Sequence, residues 1–218
     1  MIDGPRISPA SGGDAKSLVV FLHGYGADGN DLIDLGRQFA GNLPDTAFVS
    51  PHAPEPCAGA PYGRQWFPLA AMDPRRLYAD VEGAAPALDA FLDAELARYN
   101  LSDGNLALVG FSQGTMMALH VGLRRRLGIA GIVGYSGLLA GPEHLAGEIG
   151  NRPPVLLVHG DQDQVIPAMA LNAATRALEA VDIPVESHIS RGVQHGIDLD
   201  GLGLGAAFLA RTLGTAGA

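Results

Sequence analysis

Gly110-Phe111-Ser112-Gln113-Gly114 sets a serine between two glycines in the spacing G-x-S-x-G. It follows the apolar run Leu106-Ala107-Leu108-Val109 and leads into a helical pattern from Thr115 to Leu127. A strand that turns sharply into a helix at a serine presents the hydroxyl at the tip of the turn, and the flanking glycines make room for it. The chemistry this suits is nucleophilic attack on a carbonyl carbon. The N–H of the next residue, Gln113, opens the helix, where backbone donors lack partners and can hold a developing negative charge. A bare G-x-S-x-G also occurs by chance, so the motif needs companions.

A serine hydroxyl is a weak nucleophile unless a base stands within hydrogen-bond reach and a carboxylate orients that base. In the α/β-hydrolases, which this strand–serine–helix turn resembles, the chain order is serine, acid, histidine. Of seven histidines, only His188 and His195 come late enough. His188 sits in the alternating stretch Val185-Glu186-Ser187-His188-Ile189, which reads as a strand. His195 lies in the glycine-flanked loop Arg191-Gly192-Val193-Gln194-His195-Gly196, and loops at strand ends carry catalytic groups more often than strand interiors do. His195 is therefore favoured as the base. Pro153 to Gly160 reads as a short buried strand, with Asp161 and Asp163 just beyond it. Asp161 directly follows the glycine and reads as a turn residue. Asp163 stands further out and is favoured as the acid.

The same resemblance implies a second oxyanion donor on the loop after an early strand. Leu18 to Leu22 is that strand, followed by His23-Gly24-Tyr25-Gly26-Ala27-Asp28-Gly29, and the N–H of Tyr25 is the expected donor. The same stretch contains a literal G-x-G-x-x-G, the dinucleotide fingerprint. That reading requires a carboxylate at the end of the next strand. Thr46 to Ser50 is the next strand, and it ends in Ser50-Pro51-His52 with no carboxylate. The dinucleotide reading also leaves the Ser, Asp and His set unexplained.

The elements that would position these groups alternate. Strands are expected near 17–22, 46–50, 106–111, 129–135, 155–159 and 184–189, with a further edge strand near 5–9. Helices are expected near 29–40, 75–98, 113–126, 142–148, 167–180 and 198–213. Continuous apolar strands alternating with helices predict a mostly parallel sheet covered on both faces. In the long helix, Asp73 is the expected cap and Pro74 the first turn, Val81, Leu88, Leu92 and Leu96 form the core stripe, and Gly83 with Pro86 predicts a kink or break. Residues 51–72 fit no regular pattern. They hold five prolines and the only tryptophan, Trp66. With Phe67, Leu69 and Met72 they form either an apolar plug at a sheet edge or one wall of a substrate pocket. Leu138, Leu139, Val165 and Ile166 end strands near the expected site and are further pocket candidates. His23 and His159 adjoin it as candidate hydrogen-bonding support.

These segments together resemble the phospholipase/carboxylesterase family of α/β-hydrolases, which includes the acyl-protein thioesterases. The resemblance rests on Phe21 to Gly26, Gly110 to Gly114, His159-Gly160-Asp161-Gln162-Asp163 with Val165 and Pro167, His195-Gly196, and the place of Trp66, and it spans nearly the whole chain. It implies Ser112 as nucleophile, Asp163 as acid, His195 as base, and N–H donors at Tyr25 and Gln113. It implies an α/β-hydrolase fold without a large cap domain, no cofactor, no metal, and an ester or thioester substrate. Tyr25 stands where the thioesterase branch usually has Leu. Gln65-Trp66-Phe67-Pro68-Leu69 is more similar to bacterial carboxylesterases of the family, so short- to medium-chain esters are the expected substrates. Acyl thioesters and lysophospholipids are the alternative, and a non-catalytic binding protein of the same fold a distant one.

Composition bounds the rest. The 218 residues suit a single domain over 1–218, and 47% are apolar. A net charge of −9 without a long basic run argues against nucleic acid or an anionic membrane surface as partner. Arg124-Arg125-Arg126 suits the last turn of a helix, where cations complement the dipole. The lone Cys57 excludes an internal disulfide and lacks basic neighbours that would activate it. There is no paired-cysteine or H-E-x-x-H metal motif and no phosphate-loop motif. No stretch is long and apolar enough for stable membrane insertion, and the first residues show no secretory pattern, so the cytoplasm is the expected compartment. The oligomeric state stays open between monomer and homodimer.

Overall fold

The computed structural model describes residues 2–57, 59–69 and 74–214. Its centre is a sheet of seven strands in the order β1-β3-β2-β6-β7-β8-β9. These are β1 (Arg6–Ile7), β2 (Ser17–Leu22), β3 (Thr46–Val49), β6 (Leu106–Phe111), β7 (Gly131–Tyr135), β8 (Val155–Gly160) and β9 (Val185–Ser190), while β4 (Glu55–Pro56) and β5 (Arg64–Gln65) form a separate small hairpin. Every pairing in the large sheet is parallel except that of the edge strand β1 with β3.

The strands read as unbroken apolar runs because both faces of the sheet are covered, yet the period of two persists within them. In β2, Leu18, Val20 and Leu22 join a core built with α3 (Pro74–Tyr99), α4 (Gln113–Arg124) and α6 (Met169–Glu179). Val19 and Phe21 point the other way, into a core closed by α1 (Gly29–Leu32), α2 (Leu35–Phe39) and α7 (Leu199–Gly214). Helices thus lie on both faces. The stripe Leu77, Val81, Leu88, Phe91, Leu92 and Leu96 lies buried in the first core, each side chain worth about 1.5–3 kcal/mol of burial. No described helix is long and apolar enough to cross a membrane.

Two expectations are corrected. Of the kink or break expected at Gly83 and Pro86, the break does not occur: the long helix runs continuously from Pro74 to Tyr99. Pro86 is exposed, so the carbonyl that loses its intrahelical bond faces water, and the core stripe holds the helix together. The expected cap, Asp73, lies outside the described residues. The helix expected over 29–40 is instead two, α1 and α2. Hydrogen bonds from Gly36 to Ile33 and from Arg37 to Asp34 tighten the chain between them. The tightening lets Gly36 press on the sheet, where a Cβ would meet Phe48 at 2.9 Å. The basic cluster is also more than a dipole complement. Arg125 reaches Asp89, Asp93 and Asp103, clamping the end of α4 to α3, and Arg124 pairs with Glu148 of α5 (Leu145–Glu148).

His120 on α4 is a cost within this packing. It is 4% exposed, and its Nδ1 has no hydrogen-bond partner among the described residues. Burial, helped by the nearby Arg124 charge and opposed by Glu148, pushes its pKa down from 6.5 to about 4. As pH falls, the unfolded chain takes up this proton first. The contribution to stability is therefore full above about 6.5, declines between there and about 4, and then levels off. His120→Leu should raise the melting temperature at pH 5 more than at pH 7. An unchanged slope of melting temperature against pH between 7 and 4.5 would count against this account.

Candidate active site

Ser112 stands between β6 and α4 at φ 55° and ψ −115°, a conformation a non-glycine residue rarely adopts and that costs about 1–3 kcal/mol. Tight packing fixes it. A Cβ on Gly114 would lie 1.8 Å from the Leu22 carbonyl oxygen, and one on Gly110 would lie 2.4 Å from the Gly114 carbonyl oxygen. The Ser112 N–H donates to the Tyr135 carbonyl at 2.9 Å, and its own carbonyl accepts from Thr115 N–H at 3.0 Å. The Thr115 hydroxyl sits 2.9 Å from the carbonyl oxygens of both Gly110 and Tyr135, closing the turn onto β7. Ser112 keeps 9% exposure.

Three side chains far apart in sequence meet here. His195, on the loop between β9 and α7, has Nε2 2.9 Å from Ser112 Oγ and Nδ1 2.7 Å from Asp163 Oδ2. Asp163, beyond β8, is enclosed, and its other oxygen accepts from the N–H groups of Val165 at 2.8 Å and Ile166 at 2.9 Å. Burial alone would raise the Asp163 pKa. The hydrogen bonds from His195, Ile166 and Val165 more than offset that and hold it below the usual 3.8. Asp161 points elsewhere and accepts from Gly192 N–H at 2.6 Å, fastening the loop that carries His195. His188 lies within β9, paired in register with Val158.

Sequence reasoning misses several supports. Phe111 packs its ring 5.0 Å from that of His195, and Ser136 Oγ donates to Gly196 O at 3.1 Å. Ser136 has a positive φ of 47°, and its place at the end of an apolar strand is the one signal the sequence offers for it. His159, expected only as candidate support, is buried with Nε2 2.8 Å from Ile166 O and 3.2 Å from Asp163 Oδ2, so it braces the acid and the loop beyond it.

The N–H of Tyr25 has no hydrogen-bond partner among the described residues, and that of Gln113 opens helix α4. The loop carrying Tyr25 abuts the serine: a Cβ on Gly24 would lie 3.4 Å from Ser112 Cβ. Both N–H groups thus belong to segments that border Ser112.

The expected pocket residues divide. His23, Trp66 and Ile166 are 0%, 1% and 2% exposed, so direct contact with substrate is corrected to a supporting position. Their polar groups turn to the protein interior instead. Trp66 Nε1–H donates to His23 O at 3.0 Å, and Ala53 N–H donates to His23 Nε2 at 3.0 Å. His23 therefore carries its proton on Nδ1 and donates to Gly24 O at 2.8 Å. Burial holds its pKa below the ordinary histidine value, which keeps this tautomer neutral. Leu69 is half-buried against the core, and Val165 is exposed beside the acid. Leu138 lines an apolar hollow of about 260 Å³ together with Leu77, Leu139, Ala140 and Ala174. Met72 lies outside the described residues.

Strand order, the strained serine after β6 and the groups beyond β8 and β9 define an α/β-hydrolase. Residues 5–213 match the family model described as phospholipase/carboxylesterase, and the chain belongs to that family. The chain is 30% identical to esterase YpfH of Escherichia coli over 84% of this chain and 78% of that protein. It is 28% identical to acyl-protein thioesterase 1 of Saccharomyces cerevisiae over 91% and 94% of the two chains. The crystal structure of esterase PE8 superposes with a TM-score of 0.94 at 46% identity, covering 97% of this chain and 99% of that one. With esterases and thioesterases as relatives on one fold, the chain is a hydrolase.

The glycine positions make a direct test of the turn. Gly114→Ala should cost more than about 3 kcal/mol, beyond the usual 1–3 kcal/mol of overpacking, because the obstacle is backbone rather than a side chain that can swing away. Urea unfolding measures it; a midpoint close to the parent's would contradict the packing described.

Proposed function

We propose that the chain is a serine carboxylesterase acting on short- to medium-chain carboxylic esters. The observation that carries this reading is the line from Ser112 Oγ through His195 to Asp163, with spacings of 2.9 and 2.7 Å. Ser112 Oγ attacks the ester carbonyl carbon while His195 Nε2 takes its proton. Asp163 keeps the proton of the neutral imidazole on Nδ1 and balances the imidazolium that forms. The carbonyl oxygen, now negative, is held by the N–H groups of Tyr25 and Gln113. The imidazolium returns the proton to the departing alcohol, leaving an acyl-serine. Water then attacks the acyl-serine, with His195 again as base, and releases the acid. The cycle needs no cofactor.

Two points favour this reading. The solved structure of 46% identity is named an esterase, whereas acyl-protein thioesterase 1 of Saccharomyces cerevisiae is 28% identical. We take the apolar hollow lined by Leu138 as the acyl site; at about 260 Å³ it falls below the ~300–1,000 Å³ of pockets that enclose drug-sized ligands. Thioester hydrolysis would use the same steps, and the thioesterase relatives keep it as the second reading. The cytoplasm is the compartment we propose, on the ground that the lone Cys57 excludes an internal disulfide.

Ser112→Ala should reduce ester turnover by ~10⁴-fold or more and abolish labelling by a fluorophosphonate, with the fold intact by circular dichroism. Persistent labelling in that variant would end the assignment of the nucleophile. Asp163→Asn should reduce kcat by about 10⁴-fold, since an amide facing His195 Nδ1 favours the wrong tautomer. A loss under tenfold would mean that Asp163 does not orient the base. Matched oxygen esters and thioesters of rising acyl length, compared by kcat/KM, would separate the two substrate readings.

A further inference from the structure

Gln113 is fully buried, and its side-chain amide is spent entirely on one short segment. Oε1 accepts from Trp66 N–H at 2.9 Å, and Nε2 donates to Phe67 O at 2.8 Å. If this position served only to fill space, an apolar side chain such as Met would do so without the desolvation of an amide. The same segment reaches back to the other oxyanion donor. Trp66 Nε1–H holds His23 O, Gly26 N–H donates to Arg64 O at 2.9 Å, and Arg64 N–H donates to Ala27 O at 2.7 Å. Residues 64–67 therefore strap the loop 23–27 to the first residue of α4.

His23 completes the arrangement at one peptide unit. The Gly24 carbonyl and the Tyr25 N–H share a rigid plane, so turning one turns the other. A Cβ on Gly24 would press on the Phe111 ring at 3.1 Å, and its absence leaves this backbone free to rotate. The Nδ1–H of His23 grips the Gly24 carbonyl, and Ala53 N–H fixes the far side of the imidazole.

We propose that the Gln113 side chain, Trp66 and His23 are positioning residues. Through the strap 64–67 they hold the N–H groups of Tyr25 and Gln113 in register as one preformed oxyanion site. None of the three side chains touches substrate; they act on the orientation of two peptide groups. The proposal rests on the serine-hydrolase reading above. It extends that reading by giving residues 64–67 a catalytic purpose rather than a packing one.

The test uses the full chain with Gln113→Met, Trp66→Phe and the double variant, each normalised to active sites titrated with a fluorophosphonate. Trp66→Phe removes the indole N–H together with the smaller ring of a buried side chain, so the melting temperature of each variant is read beside its per-site constants. The readouts are kcat and KM on one short-chain ester, and the inhibition constant of a matching trifluoromethyl ketone. Ser112 Oγ adds to that ketone's carbonyl carbon, the serine proton passes to His195, and the ketone oxygen becomes the anion held in the hole. Complete loss of one oxyanion donor costs about 10²–10³ in kcat, so a misaligned donor should lower kcat by about tenfold or more while KM stays within about threefold. Ketone affinity should fall by the same factor as kcat/KM. The double variant should be less than additive, because both changes release one strap. Residues that merely stabilise the fold would lower the melting temperature and leave the per-site constants alone. A labelled, active parent whose variants keep kcat and ketone affinity within about threefold overturns the strap and leaves the esterase reading standing. A parent that neither labels nor hydrolyses esters overturns both. Should Gln113→Met fail to fold, Trp66→Phe decides alone by the same readouts.

Discussion

Helix α4 lies so near the end of strand β2 that Gly114 faces the Leu22 carbonyl with no space for a side chain. Much else follows from that contact. It forces the chain to turn within a single residue, so Ser112 must take a positive φ and its hydroxyl must stand clear of the sheet. It brings the N-terminus of α4 beside the loop after β2, so the two segments proposed to donate to the substrate oxygen adjoin one another. The strain is local, and the hydrogen bonds around Thr115 and Tyr135 hold it in place.

The other side chains arrive by parallel topology. β6, β7, β8 and β9 run the same way, so all their C-terminal ends point toward Ser112. Asp163 and His195 then need only short loops to reach it. Each loop is tied down separately: Asp163 by Val165 and Ile166 N–H groups, the His195 loop by Asp161 and Ser136. His159 lies under the acid. The result is a dry carboxylate beside a half-open imidazole, an arrangement that keeps the charge of the acid while leaving the base accessible.

Much of this is legible in the amino-acid sequence. The strands declare themselves as apolar runs, and the order of Ser, Asp and His at strand ends points to these three residues over His188 and Asp161. What stays hidden depends on packing between distant segments. The split between α1 and α2 follows from Gly36 meeting Phe48 across the sheet, which local helical periodicity does not contain. Pro86 suggests a break because propensity counts the lost bond and not the buried stripe that compensates for it. Trp66 stands out as a lone large aromatic, and a pocket wall is a fair expectation. Its burial, and the bonding of its indole to His23, come from a pairing between residues 43 positions apart. The side chain of Gln113 is silent at this level, since the spacing G-x-S-x-G treats it as a variable and gives meaning to its backbone alone.

The neighbouring strands β2 and β6 have a kinetic consequence. They lie side by side in register, yet the whole of β3, the small hairpin and the long helix α3 intervene along the chain. A contact spanning so much sequence carries a large ring-closure entropy and forms slowly. The loop that carries Tyr25 follows one of these strands, and Gln113 follows the other. A partly refolded chain can therefore carry most of its helices and still lack the proposed oxyanion site, and recovered turnover would time the joining of the sheet's middle rather than collapse.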